Sequence, residues 1–323
     1  MTELLKVEGL TVEYALNGHY VKAVDDVSLT VNKGDALGIV GESGCGKSSL
    51  ALAIMGILPD NARIASGIVQ FEGEDLLKMP QSRQRRDIRW KRISMIFQSS
   101  MNALNPVYRV GSTLTSVAEF KRKVSRNEAA EIVERLYRLV GMDPSRMKNF
   151  PHQYSGGMRQ RAVIAMSLIC EPPLIIADEP TTALDVVVQN QILKTLRKLR
   201  EDLGMAIILI SHDVGVIGET CERVAVMYGG KLFETGSAKQ LFSKPNNPYT
   251  RALLGCFPDL ENPKRKLNGI PGEPPDLTMI PPGCRFAPRC AYAKEICRTQ
   301  APPIYELEAG HKSLCHFAKE LSQ

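Results

Sequence analysis

The chain reads as an α/β protein built on a doubly wound, mostly parallel sheet, and three features carry that reading. Two short runs, 174–177 and 206–210, are apolar throughout, as strands buried on both faces are, and a helical stretch at 188–203 separates them. A glycine-rich turn, Gly41-Glu42-Ser43-Gly44-Cys45-Gly46-Lys47-Ser48, joins an apolar strand ending in Gly38-Ile39-Val40 to an apolar helical run at 50–57. Two carboxylates, Asp178 and Glu179, close the first buried run, at the strand end where open α/β sheets bind ligands.

From the N-terminus, alternating apolar and polar residues at 4–14 and 20–24 suit antiparallel strands, with turns at Asn17-Gly18 and Asn32-Lys33-Gly34. The strand before the glycine turn comes next, then short strands at 67–73 and 93–97. Between 112 and 140 the periodicity turns helical, with Gly141 placed to stop the last helix. A helical insert thus interrupts the sheet. From about 244 prolines recur, as in Lys244-Pro245-Asn246-Asn247-Pro248 and at Pro258, Pro263, Pro271, Pro274-Pro275 and Pro281-Pro282. Because proline removes backbone donors, this tail is expected not to extend the sheet and to be ordered by something else.

Composition bounds the rest. At 323 residues there is room for a full α/β domain and a smaller unit, and 44% hydrophobic with 24% charged residues excludes a disordered chain. No apolar stretch nears the roughly 18 residues that cross a bilayer, and Met1-Thr2-Glu3-Leu4-Leu5-Lys6 lacks the layout of a signal peptide, so the cytoplasm is expected. The net charge of +6 is modest. Its densest patch, 83–92, reads as a solvated helix face or as a contact for lipid head groups or a partner. Eight cysteines in that compartment do not imply disulfides.

The chemistry concentrates at strand ends. Glycines at 41, 44 and 46 let successive N–H groups converge on phosphate oxygens, Lys47 would reach the β- and γ-phosphates, and the Ser48 hydroxyl would hold the bridging magnesium. Asp178 is expected to support that magnesium without binding it directly, and Glu179 to polarise the attacking water. His212, straight after the run 206–210, is placed to hydrogen-bond the γ-phosphate. Tyr154-Ser155-Gly156-Gly157-Met158 opens another helix, which makes a second anion site at Ser155, Gly156 and Gly157. A chain with its own phosphate loop has a use for that site if a partner brings the other nucleotide, as in a head-to-tail dimer around two ATP molecules.

In this order, with Gln98 after an apolar strand and Ala183-Leu184-Asp185 after the carboxylate pair, residues 1–240 resemble an ATP-binding-cassette ATPase. The resemblance implies a P-loop NTPase core with an antiparallel β subdomain and a helical subdomain at about 98–158. It makes 1–243 the nucleotide-binding domain and 244–323 a small cysteine-containing extension. It gives Tyr14 as the ring that stacks on adenine, Gln98 as a magnesium and water contact that senses the membrane partner, and Asp185 as a contact across the dimer. Gly41, Glu42, Ser43, Gly44, Cys45, Gly46, Lys47, Ser48 and Ser49 complete the ATP-binding set. Three stretches narrow the resemblance to the dipeptide and oligopeptide importer ATPases of bacteria and archaea: 98–106, Pro248-Tyr249-Thr250-Arg251-Ala252-Leu253-Leu254, and Pro282-Gly283-Cys284-Arg285-Phe286-Ala287-Pro288-Arg289-Cys290. Tyr154 and Met158 stand where leucine and glutamine are commoner, and Ser99-Ser100 where an acid and a proline are frequent, none of them a phosphate ligand.

That family implies an ATPase peripheral to the cytoplasmic face of the membrane, powering peptide uptake through two transmembrane permease subunits. A second cassette ATPase subunit and an extracytoplasmic peptide-binding protein complete the assembly, and nucleic acid has no part in it. Three rivals remain: import of nickel or another solute, a soluble cassette ATPase acting on nucleic acid or ribosomes, and a metal-sensing regulator. Cys284, Cys290, Cys297 and Cys315 crowd the last forty residues at spacings of neither a zinc knuckle nor a ferredoxin. Four thiolates can hold an iron–sulfur cluster or zinc, and a proline-rich tail would gain order from either. The family resemblance implies [4Fe–4S].

Overall fold

The computed structural model describes residues 2–16, 18–98, 103–182, 184–257 and 269–322. Asn17 of the first turn, Ser99-Ser100-Met101-Asn102, Ala183, Pro258 and Pro263 lie outside them. The chain forms two compact units, each gathered from separated stretches. One is Lys78–Ile210 with Met1–Thr2 and Asn32–Asp35, and the other is Glu3–Val31, Ala36–Leu77 and Ser211–Gln323.

In the second unit an antiparallel sheet runs in the order His19–Asn32, Glu3–Leu16, Ala62–Phe71, Glu74–Asp75. The alternation seen in the sequence sets its register: Leu5 faces Phe71 and Val7 faces Val69, all four buried. Between Glu8 and Val12 the register shifts, and there the alternation slips. The strand at 67–73 begins five residues earlier than its pattern suggests, at Ala62.

The same unit holds Ala36–Val40, parallel to Arg223–Tyr228, with Lys231–Ser237 antiparallel on its far side. Here one expectation is corrected. The tail does extend the sheet: His311–Leu314 pairs with Lys231–Ser237, and Ile304–Glu308 pairs with His311–Leu314. The last proline is Pro303, so the 304–314 stretch keeps every backbone donor and is free to pair. The junction is a buried polar knot. Glu234 accepts from the Asn246 amide at 2.6 Å, the Asn247 amide at 3.2 Å and the His311 ring at 2.8 Å, while the Asn247 side chain donates to the Phe233 and Leu314 carbonyls. Beside it Tyr228, Phe233, Tyr249 and Phe286 stack with ring centroids 4.4–5.8 Å apart. Each such aromatic pair contributes about 0.5–1.5 kcal/mol beyond its burial, so the tail has an apolar anchor of its own.

In the first unit Leu174–Asp178 is buried along its whole length, between Ala206–Ser211 and Ile93–Ile96, all parallel. The helical insert is two helices, Val110–Arg122 and Arg126–Leu139. Lys123 takes a left-handed turn, and Ser125 restarts the chain with a reciprocal cap to Glu128. Gly141, at φ 73°, follows the second helix as its sequence position predicts. Among the described residues no helix is long and apolar enough to cross a membrane.

Candidate functional site

The glycine turn folds as a cradle. Its helix, Lys47–Met55, starts from Gly46 at φ 105° and has no side-chain cap, so its first-turn amides face outward for an anion. A Cβ on Gly46 would lie 2.1 Å from the Ala23 carbonyl oxygen, and one on Gly41 2.0 Å from that of Met227, so both positions exclude any side chain. Lys47 is buried, and its ammonium donates to the Gly41 and Glu42 carbonyls at 2.8 and 2.9 Å. Ser43, Gly44 and Ser48 are exposed on the rim, and Ser49 shares a hydrogen bond of 3.2 Å with the Tyr14 hydroxyl, which ties the proposed adenine platform to the helix. Burial pushes the Cys45 thiol up, against the pull of Lys47, so the thiol stays neutral. His212 belongs to this unit and is exposed beyond the end of its strand.

In the other unit Asp178 is buried at the end of its strand and Glu179 follows at φ 46°. Such left-handed backbone at a non-glycine residue costs about 1–3 kcal/mol and persists where the surroundings enforce it. Here the Glu179 amide donates to the Ile210 carbonyl at 2.9 Å. Its carboxylate accepts from the Gln98 amide at 2.9 Å and the Thr182 hydroxyl at 3.0 Å. Gln98 and Glu179, both singled out in the sequence, are therefore brought together.

The signature helix Gly156–Ser167 is capped by Ser155, whose hydroxyl accepts from the Met158 amide at 3.3 Å. Its O–H remains able to donate. Asp185 caps Val186–Leu203 in the same way, accepting from the Val188 amide at 2.9 Å. Ser155, Asp185, Val186 and Val187 are all exposed, and Gly157 abuts Val188, so the two caps share one surface. The uncommon Tyr154 is accommodated: its buried hydroxyl donates to the Arg146 carbonyl at 2.8 Å and meets that of Tyr137 at 3.0 Å. Tyr137 is pushed up by burial and stays a phenol.

Cys284, Cys290, Cys297 and Cys315 line one cavity with Phe233, Phe286 and Phe317. Among the described residues, however, no three His, Cys, Asp or Glu side chains gather as ligands of a metal, so neither an iron–sulfur cluster nor zinc finds support there. What the sequence reading missed is Arg289 and Tyr249. Both stand inside the quoted tail stretches but come to the phosphate loop only in three dimensions, at Glu42. No local pattern signals a pairing across 247 positions.

The residues 24–182 match the family described as "ABC transporter". The fold superposes on MJ0796, described as a dimeric ATP-binding cassette bound to ADP and Pi, with a TM-score of 0.65 and 26% identity over 73% of this chain and 99% of that one. The chain is an ATP-binding-cassette ATPase. Residues 233–297 match a second family, "Oligopeptide/dipeptide transporter, C-terminal region". The oligopeptide transport ATP-binding protein OppD of Salmonella typhimurium is 46% identical over 97% of this chain and 93% of its own length. The dipeptide transport ATP-binding protein DppD of Bacillus subtilis is 46% identical over 92% of this chain and 89% of its own. With such relatives spanning nearly its whole length, the chain belongs to the family of oligopeptide and dipeptide transport ATP-binding proteins.

Proposed function

We propose that this chain hydrolyses ATP at the cytoplasmic face of the membrane to drive uptake of di- and oligopeptides through two separate permease subunits, fed by an extracytoplasmic binding protein. It works in a head-to-tail pair with a second cassette subunit. The observation that carries this reading is the joining of an oligopeptide/dipeptide-transporter C-terminal region at 233–297 to a cassette matched over 24–182. Residues 1–243 act as the nucleotide-binding domain, with the helical insert near 98–158, and 244–323 as its extension. Isolating the assembly from membranes and measuring its phosphate release with graded peptides tests it. Acceleration by peptides supports the reading, and acceleration by nickel alone overturns it.

In this mechanism the loop amides and Lys47 grip the triphosphate, Tyr14 stacks on adenine and His212 contacts the γ-phosphate. Ser48 and Gln98 offer hard oxygen donors that suit Mg²⁺, with Asp178 supporting it without binding it directly, and the ion when bound would neutralise phosphate charge. Glu179 draws the proton from the attacking water, held for that task by Gln98 and Thr182. Ser155, Gly156, Gly157 and Asp185 serve the nucleotide on the opposing cassette.

In this reading the four tail cysteines, which line a single cavity, hold a [4Fe–4S] cluster. Backbone amides of Tyr292 and Phe317 point at the Cys290 and Cys315 sulfurs, each at 3.4 Å, as donors that stabilise thiolates. Without a cluster, burial and the neighbouring thiols push Cys284 up to about 12 and Cys315 to about 11. A cluster would be structural, cross-linking the tail. Anaerobic purification followed by iron and sulfide assay checks it, and a chain devoid of both removes the cluster.

A further inference from the structure

Glu42 is the acid of the phosphate loop, and a bare carboxylate there would repel the triphosphate the loop exists to hold. The structure gives it a dedicated partner. Arg289, next to Cys290 in the extension and 9% exposed, meets Glu42 with a two-pronged fork, Nη1 to Oε2 at 2.6 Å and Nη2 to Oε1 at 2.9 Å. The guanidinium has five N–H donors, and the other three are used as well: Nε to the Pro271 carbonyl at 2.7 Å, Nη1 to the Tyr228 hydroxyl at 3.2 Å and Nη2 to the Ile270 carbonyl at 3.4 Å. Its orientation is thereby fixed from every side.

The loop backbone is held at the same residue. The Glu42 amide donates to the Tyr249 hydroxyl at 3.1 Å, a phenol that burial keeps protonated, and the Glu42 carbonyl accepts from Lys47. The segment that presents Arg289 is itself anchored, because Arg285, buried four residues earlier, donates to the Gly229 carbonyl and to Asp25. The hydrogen bond from Arg289 to Glu42 also raises the guanidinium above its ordinary pKa, so the fork stays charged.

We propose that Arg289 is a positioning residue for ATP: it neutralises and turns aside the Glu42 carboxylate, so that the extension sets the nucleotide affinity of the phosphate loop. This rests on the reading of 41–48 as the triphosphate cradle. Through linkage, ATP in the cradle strengthens the hold of the Cys284–Cys290 segment by the same factor. A rivet serving only to attach the tail would have no such effect on affinity.

The test is a cycle on the full chain, titrating a fluorescent ATP analogue with Mg²⁺ present. Arg289→Ala weakens binding by at least about tenfold, because the uncompensated Glu42 carboxylate then repels a multiply charged anion. Adding Glu42→Gln to that variant restores most of the loss, because the charge that needed a partner is gone. A double variant as weak as Arg289→Ala, or an Arg289→Ala chain that binds like the parent, overturns the proposal. Where Arg289→Ala does not fold, Arg289→Gln takes its place and must show the same rescue. Lys47→Ala is titrated alongside: undiminished binding there overturns the cradle reading itself, whatever the cycle shows.

Discussion

Two helix starts in this molecule offer themselves to phosphate, and they are finished to different degrees. Lys47–Met55 begins on a left-handed glycine with no side-chain cap, and the turn before it is held by Lys47, Tyr249 and Arg289. Gly156–Ser167 begins on an exposed serine that already caps its own helix. One end is complete within a single chain and leaves its amides for a ligand. The other spends its serine oxygen on one of its own amides, that of Met158, beside the exposed Asp185, Val186 and Val187. In a proposed pair of cassettes Lys47 therefore has to exchange its loop carbonyls for phosphate oxygens, while the serine cap can stay in place.

The largest expected effect separates gripping from cleaving. Glu179→Gln keeps the size of the side chain and leaves the loop's unit untouched, so ATP still binds while phosphate release falls on the order of 10²–10⁴-fold. Release at the parent rate would remove Glu179 from the mechanism. Next, Gly46→Ala drives a Cβ into the Ala23 carbonyl at a left-handed φ, at a cost of about 2–5 kcal/mol in strain and overpacking. Denaturant unfolding reads that loss directly, and an unchanged midpoint would mean the cradle is less tightly set than its geometry implies. Ser155→Ala should cost only about 1 kcal/mol of stability, the worth of a cap, yet lower turnover of the assembled transporter more than tenfold. A variant that loses the stability alone would reduce the signature serine to a cap and break the comparison.

The smallest effect concerns acid. Burial works against ionisation of Asp25, but Lys231, Arg285 and Lys22 together outweigh it and hold the carboxyl below its usual range. A depressed carboxyl lends stability that is fully present above the unfolded value near 3.8 and is lost as pH falls through the lower folded value. Urea midpoints of the chain should thus be level above about pH 5 and drop below about pH 4, with Asp25→Asn flattening that drop. An identical acid limb in the variant would mean that other carboxylates carry it.

Much of this was legible in the residues. Runs such as 174–177 are apolar throughout because both faces are covered, and the glycine turn announces itself since residues with a Cβ rarely adopt its φ values of 76° to 155°. Gln98 and Glu179 stand at strand ends, and parallel strands bring such ends together. Local chemistry misled where it was averaged over a segment. The prolines of the tail suggested a region outside the sheet, yet 304–314 contains none and pairs normally. The helical periodicity from 112 to 140 concealed a break at Lys123, where one left-handed residue and a serine cap restart the chain. Arg289 and Tyr249 were out of reach for another reason: their role is defined wholly by Glu42, and nothing near them in sequence names that partner.

The bond between Glu42 and Arg289 also has a consequence in time. A ribosome makes the guanidinium partner almost 250 positions after the glycine turn, so over that stretch of synthesis the nascent chain carries an unguarded acid beside its phosphate loop. If Arg289 has the proposed role, copies not yet made that far are poor at seizing fuel.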